Sequence, residues 1–370
     1  MNHGWEIRPL QDICNKASSN LMQKNIDSEN GKYPVFGASG IAGYIDYYVQ
    51  AKDYIGIIKD GSGVGRVSVY PKESSLLGTL QYIIPNENMD LRYVAYALKS
   101  MNLAKYVSGA AIPHIYFRDY GEEKIAVPSI KTQSKVADEL DKLNELIEIK
   151  RNQIKDLDAL AQSLFYETFG EPFINSKGWP IMNFGDLASS INYGTSLPAV
   201  DGGYYPYIRM NNLTDNGYLD LSNLKYIDIP ESELDKCLVR KGDILFNRTN
   251  SREKVGKSAL FDRADKMVIA GYIIRVRAKA DMLNPVFAVR YLNLPELKEH
   301  LRKICRGAVN QANINSKEMA SIPFIVPPIN LQNQFASKIE AIEVQKKLVE
   351  ASIADLETLL ASRMDYWFND

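Results

Sequence analysis

Three stretches of this chain carry side chains whose types and spacing could act on a ligand. Lys59-Asp-Gly-Ser-Gly-Val-Gly-Arg66 is a glycine-rich loop between two cations. It lacks the Gly-Lys-Ser/Thr ending of a phosphate-binding P-loop and leads into a strand-like run instead of a helix, which argues against a nucleotide cradle. Two readings are left: a loop that places Lys59 and Arg66 near DNA phosphates, or a plain hairpin. The stretch from Asp243 to Lys257 is richer and presents Asn247, Arg248, Asn250, Arg252, Lys254 and Lys257. In the major groove arginine can pair two-pronged with guanine and asparagine with adenine, while lysine serves phosphates. The competing reading is a solvated polar hairpin. Arg306 to Asn313 offers Arg306, Asn310, Gln311 and Asn313 in a glycine-containing loop. These amides either read bases or cap the segment that follows. The corresponding loop of the first half holds only His114 and Arg118, and a lone histidine is more often structural than functional.

Signals for catalysis are weaker. Phe36-Gly-Ala-Ser-Gly40 superficially matches a glycine-rich AdoMet loop but is not set in a strand-to-helix unit. Asn284-Pro285-Val286 lacks the second proline and the aromatic residue that would grip a flipped base. No Ser/His/Asp arrangement, metal-ligand cluster or nuclease-type carboxylate set stands out. Cys14, Cys237 and Cys305 are scattered and odd in number, which points to a reducing compartment and no structural zinc. The chain is expected to do no chemistry itself and to need no cofactor or metal.

What positions these loops is a repeated plan. Residues 1–128 read as a first globular segment, with a strand and helix start in GWEIRPLQDI. Short β-type runs begin at Tyr33, Tyr54 and Arg66, bounded by glycines, and helical periodicity runs over Leu91–Lys105. Residues 171–326 repeat the plan: GWPIMNFGDL parallels the opening, Val255-Gly256-Lys257 parallels Val64-Gly65-Arg66, and Val286–Lys303 reads as another apolar helix. After each globule comes a long helix, at 129–170 and 327–370. A shift of 199 residues superimposes Val127-Pro128 on Val326-Pro327, Gln133 on Gln332, Ile154 on Ile353 and Phe169 on Phe368. Alternating steps of four and three from Val136 to Thr168, and from Phe335 to Trp367, give eight apolar residues in ten positions on each helix. That is a coiled-coil seam. Such a helix is about 60 Å long and needs a partner along its length, and the economical partner is the other copy. Lys150 and Lys346 interrupt the seams and could set register. The predicted class is α+β: two mixed α/β domains alternating with two long helices in an antiparallel coiled coil, related by a pseudo-two-fold internal repeat.

The whole-chain charge of −1 hides a division, since residues 171–325 carry 21 cationic and 17 anionic side chains. The basic excess lies where the Asn/Arg loops are, weak evidence for a polyanionic partner. No window approaches a transmembrane run, and the N-terminus shows no signal-peptide core, so a cytoplasmic location is expected.

The layout resembles the specificity subunit of type I DNA restriction-modification systems. The resemblance is carried by GDILFNRTNSREKVGK (242–257), RGAVNQANI (306–314), IPFIVPPINLQNQFASKI (322–339) and VPSIKTQSKVADELDKL (127–143). It implies two target-recognition domains, each reading one half of a bipartite asymmetric duplex site. It also implies that the helices dock methyltransferase subunits, which bring AdoMet, and that motor-nuclease (restriction) subunits join for cleavage. Phe165, Tyr166, Phe169, Tyr366, Trp367 and Phe368, at the helix ends, are candidates for that docking or for packing on the domains. Ile112-Pro-His-Ile departs from the second domain's Asn310-Gln-Ala-Asn-Ile. The alternative is a coiled-coil protein-interaction scaffold without DNA recognition, which the near-neutral first segment favours.

Overall fold

The computed structural model describes residues 4–26, 30–109, 112–308 and 311–369. It divides into two compact units, one made of residues 1–152 with 350–370, the other of residues 153–349.

In the first unit a two-stranded ribbon pairs Glu6–Pro9 with Lys124–Val127. Behind it lies an antiparallel sheet in the order Cys14–Ser18, Leu80–Pro85, Tyr54–Ile58, Val67–Tyr70. Tyr54–Ile58 is buried throughout, as a central strand covered on both faces should be. Gly56 is required there, because a Cβ would lie 2.5 Å from the Tyr70 ring. A second sheet runs Gly40–Ile45, Tyr33–Gly37, Ser75–Leu76, its last pair parallel. Helix Leu91–Ser100 starts where the Asp90 carboxylate accepts the N–H groups of Arg92 and Tyr93. The helical periodicity expected to Lys105 breaks after Ser100 and resumes as a short 3₁₀ turn, Leu103–Tyr106.

The second unit repeats the strand order. Ile181–Asn183 pairs with Pro323–Ile325, and a sheet runs Ala188–Tyr193, Ile273–Ala278, Asp243–Asn247, Ser258–Phe261. The other sheet runs Lys225–Ile227, Tyr205–Ile208, Met267–Ile269, Leu238–Val239, again with one parallel pair. The single helix expected over Val286–Lys303 is two, Pro285–Leu292 and Pro295–Ile304. Pro295 has no N–H to continue the first helix, and its fixed φ suits the first turn of the next.

Particular hydrogen bonds recur in both units. Ile58 donates to the Arg66 carbonyl (3.1 Å) and accepts from Gly65 (2.8 Å); Asn247 donates to Lys257 and accepts from Gly256, both at 2.8 Å. Gly65 and Gly256 both sit at positive φ, 86° and 82°. Gln133 accepts the Asp90 N–H and donates to the Pro128 carbonyl, each at 2.9 Å. Gln332 does the same with Asn284 (2.9 Å) and Pro327 (2.8 Å).

The long helices are Ile130–Phe169 and Ile329–Phe368. Gly170, at φ 77°, ends the first and donates to the Tyr166 carbonyl at 2.8 Å. Within the first unit Glu139 takes Arg363 and the Trp367 indole, and Arg151 meets Glu357 at 2.8 Å, so the helices run in opposite directions there. Within the second unit Lys346 meets Asp158 at 2.5 Å, and Phe335 packs on Phe165 and Phe169. Phe335, Ile339, Ile342, Lys346 and Val349, all predicted seam positions, are buried. Near the end of the first helix burial shifts from Leu164 and Thr168 to Phe165 and Phe169. A helix of about 3.6 residues per turn drifts against a 3.5-residue seam, and here it drifts onto the core of the second unit.

Candidate nucleic-acid interface

In the second unit the structure joins two of the singled-out loops. Arg248 leaves the central strand with its N–H on the Tyr272 carbonyl and its carbonyl on the Ile314 N–H, both at 2.9 Å. Thr249–Asn250 then pairs with Ala312–Asn313, and Gln311–Asn313 pairs with Arg306–Ala308, so the two loops form one small sheet. Thr249 Oγ1 donates to Asn313 Oδ1 at 2.7 Å. Beyond this sheet the chain presents exposed Arg252 and Lys254, with Arg252 Nε donating to the Arg302 carbonyl at 3.2 Å. Asn250 is half-buried and its Oδ1 accepts the Ser251 N–H at 2.9 Å. Arg306 is exposed and lies 2.6 Å from Glu318, an ionic contact whose angle is too poor for a hydrogen bond.

Two members of the predicted set are placed otherwise. Asn247 is fully buried at the end of an all-buried strand, its Oδ1 accepting the Thr249 N–H at 3.3 Å. It cannot touch a ligand from there, and we remove it from the contact set. Lys257 is largely covered and holds Asp215 at 2.9 Å, which neutralises it as a phosphate contact. Beneath the loop Lys298 Nζ donates to the Gly256 carbonyl at 2.6 Å, and burial pushes its ammonium down to about 7. Asn310 and the Gln311 side chain lie outside the described residues.

In the first unit the equivalent neck carries less. The Lys59 carbonyl accepts the Ile115 N–H at 2.9 Å, as Arg248 does for Ile314. His114 bridges to Asp60 and Ser108, the place Asn313 occupies in the second unit. Its ring stands edge-on to Tyr116 (4.9 Å), over which the Arg118 guanidinium lies at 4.7 Å. Arg118 is exposed and touches Asp119 at 3.3 Å, and half-buried Lys59 lies 3.7 Å from Asp60. Arg66 is exposed at the other end of the hairpin neck, next to Ile58. The structure thus gathers Lys59, Arg66, His114 and Arg118 at one hairpin, with two of the cations beside carboxylates.

Sequence reasoning missed a cleft of about 550 Å³ beside Arg248, lined among others by Thr195, Arg209, Asn211 and Tyr272. The Arg248 guanidinium lies 4.8 Å from the Tyr193 ring centre. One signal was available in Tyr193-Gly194-Thr195: a Cβ on Gly194 would sit 2.2 Å from the Ile269 carbonyl oxygen, so the chain must pass closely there.

Comparison with known proteins decides what this architecture is. The model of the type I restriction modification DNA specificity domain matches twice, over residues 2–159 and 176–358. The chain belongs to this family. Among curated relatives of this specificity family, a putative MjaX specificity subunit of Methanocaldococcus jannaschii is 27% identical over 163 residues, 43% of this chain and 38% of the relative. The EcoKI specificity subunit of Escherichia coli is 21% identical over 282 residues, 70% of this chain and 60% of the relative. The chain therefore spans under two thirds of both. The MjaVIII specificity subunit of Methanocaldococcus jannaschii is 22% identical over 369 residues, covering 92% and 86%. A crystal structure of a type I restriction-modification S subunit from M. genitalium shares the fold, with TM-score 0.59 at 17% identity and coverage of 100% and 97%.

Both specificity domains include parts of the long helices, and there the docking candidates need correcting. Phe165 and Phe169 are buried in the second core, stacked among Phe287, Phe335 and Tyr291. Trp367 and Phe368 are half-buried against the first core, with Trp367 parallel to Trp5 at 5.9 Å and Phe368 on Tyr93 at 5.2 Å. These aromatics pack the helices onto the domains. Among the described residues no group of His, Cys, Asp and Glu could hold a metal ion, and no helix is long and apolar enough to cross a membrane.

Proposed function

We propose that this chain is the DNA sequence-recognition subunit of a type I restriction-modification complex and does no chemistry itself. The observation that carries the reading is the tandem match of the specificity-domain model over both halves. Residues 1–128 and 171–326 act as target-recognition domains, each reading half of a bipartite, asymmetric duplex site. Helices 129–170 and 327–370 form an antiparallel coiled coil with a pseudo-two-fold axis. They dock AdoMet-binding methyltransferase subunits and, where cleavage occurs, restriction subunits. The opposed ion pairs within each unit and the buried seam support that pairing. Direct contacts in the second domain come from Arg248, Asn250, Arg252, Lys254, Arg306 and Asn313. In the first they come from Lys59, Arg66, His114 and Arg118.

The test is single-molecule sequencing of DNA from cells carrying an active cognate methyltransferase, with and without this chain. A methylated adenine that appears only with the chain, in a split motif of constant gap, is the expected result. Its absence would favour a protein-binding scaffold, which the near-neutral first domain suits. A DNA affinity that falls steeply with salt argues against that scaffold, because phosphate neutralisation releases counterions.

A further inference from the structure

We infer that the cleft between Arg209 and Arg248 receives the acceptor edge of a guanine in the second domain's half-site. The inference rests on the DNA-recognition reading and adds the base and the residues that take it.

The cleft is cationic, and among the described residues no counter-charge lines it. Arg209 and Arg248 both line it, and no aspartate or glutamate does. The other buried or half-buried arginines of this unit, Arg275, Arg277 and Arg290, each face a carboxylate, Asp243 or Glu343, within 4 Å. Among the described residues Arg209 and Arg248 face none. Two guanidinium groups without a carboxylate beside one cleft leave their remaining N–H groups and their charge to be met by acceptors from outside.

Both side chains are also held in place. The Arg248 guanidinium lies over the ring of Tyr193, whose hydroxyl accepts the Ser316 N–H at 2.7 Å, and the Arg248 backbone is pinned on both sides. Arg209 anchors one terminal N–H on the Asn223 carbonyl at 3.2 Å. A fork held this way loses little rotamer freedom on binding. Guanine presents two adjacent acceptors, O6 and N7, to such a fork, whereas adenine sets an N6 donor against it. Phosphates share the acceptor chemistry but have better partners in exposed Arg252 and Lys254 outside the cleft.

The experiment uses the complex of this chain with its methyltransferase and duplexes carrying the methylated motif. Each guanine of the second half-site is replaced in turn by 7-deazaguanine, which removes only N7. At one guanine, binding should weaken roughly ten- to a hundredfold. Arg248→Lys and Arg209→Lys should lose preference at that same base pair, keep the first half-site and leave the salt slope unchanged, since charge is retained while the fork is lost. If no guanine is sensitive, the inference falls, and that arm uses the unaltered protein, so a misfolded variant cannot hide it. If the lysine variants keep full preference while Arg248→Gln weakens all sequences alike and lowers the salt slope by about one, the cleft holds a phosphate and not a base. A complex with no chain-dependent motif defeats the DNA reading itself and is recognised before any guanine is tested.

Discussion

Arg248 and Lys298 show how much depends on single side chains around one loop. Arg248→Ala combined with Arg252→Ala should relax or weaken recognition of the second half-site alone, by about 1–3 kcal/mol per true base contact. Sequencing the modified motif reads this directly, and equal loss of both half-sites would count against these residues. Lys298 makes a pH prediction. Its folded pKa, about 7, lies below the usual lysine value of 10.5 because burial penalises the ammonium. Between those values the unfolded chain binds the extra proton, so stability should rise with pH from 7 towards 10. Lys298→Met should flatten that rise, as urea midpoints at pH 7 and 9.5 would show; the Gly256 carbonyl would keep its bond from Ser258 Oγ at 3.1 Å. At this scale the sequence was informative about residue type and poor about exposure. Arg248, Arg252 and Lys254 could be picked from spacing. Asn247 could not be set aside, because the same run ILFN reads equally as an alternating strand with one wet face. Nor could Lys257, whose counter-charge, Asp215, comes from a distant loop. Arg209 escaped because its partner across the cleft is set by two strands meeting in space.

Each long helix is tied to its domain at its first turn. Gln332 bridges the Asn284 N–H, the Met282 carbonyl and its own helix start at Pro327, and Gln133 does the equivalent with Asp90 and Pro128. Both glutamines are buried. Gln332→Ala would strand one donor and two acceptors and should cost about 2–3 kcal/mol, read from chemical denaturation. Further along, Lys346 reaches Asp158 and lies 4.4 Å from the Tyr218 ring centre, while Arg290 joins Glu343 at 2.7 Å. Lys346→Ala leaves Asp158 without its cationic partner and should cost about 2 kcal/mol, whereas pairing Lys346→Met with Asp158→Leu should be close to neutral. The helices were the most legible elements, because an apolar seam and a 199-residue shift are both periodic signals. The break at Pro295 was visible as a residue, but apolar spacing continues across it and masked the stop. The order of strands was not legible at all. The parallel pairing of Tyr33–Gly37 with Ser75–Leu76 joins segments that only the folded sheet brings together.

The two units are alike in plan and unlike in how the chain supplies them. The second is one continuous stretch, residues 153–349, while the first needs residues 1–152 and 350–370. Leu360, Met364, Trp367 and Phe368 all pack on the first core. Ending the chain after Val349 should therefore strip amide protection from the first unit and spare the second, a contrast that hydrogen exchange would resolve. The same division sets a timetable during synthesis. The ribosome makes the first domain's strands early, yet residues 350–370, which help cover its core, follow only after the whole second unit. Domains usually fold in the order they are made. Here the later-made unit should be complete first, while the nascent first domain keeps apolar surface uncovered until residues 350–370 have been made.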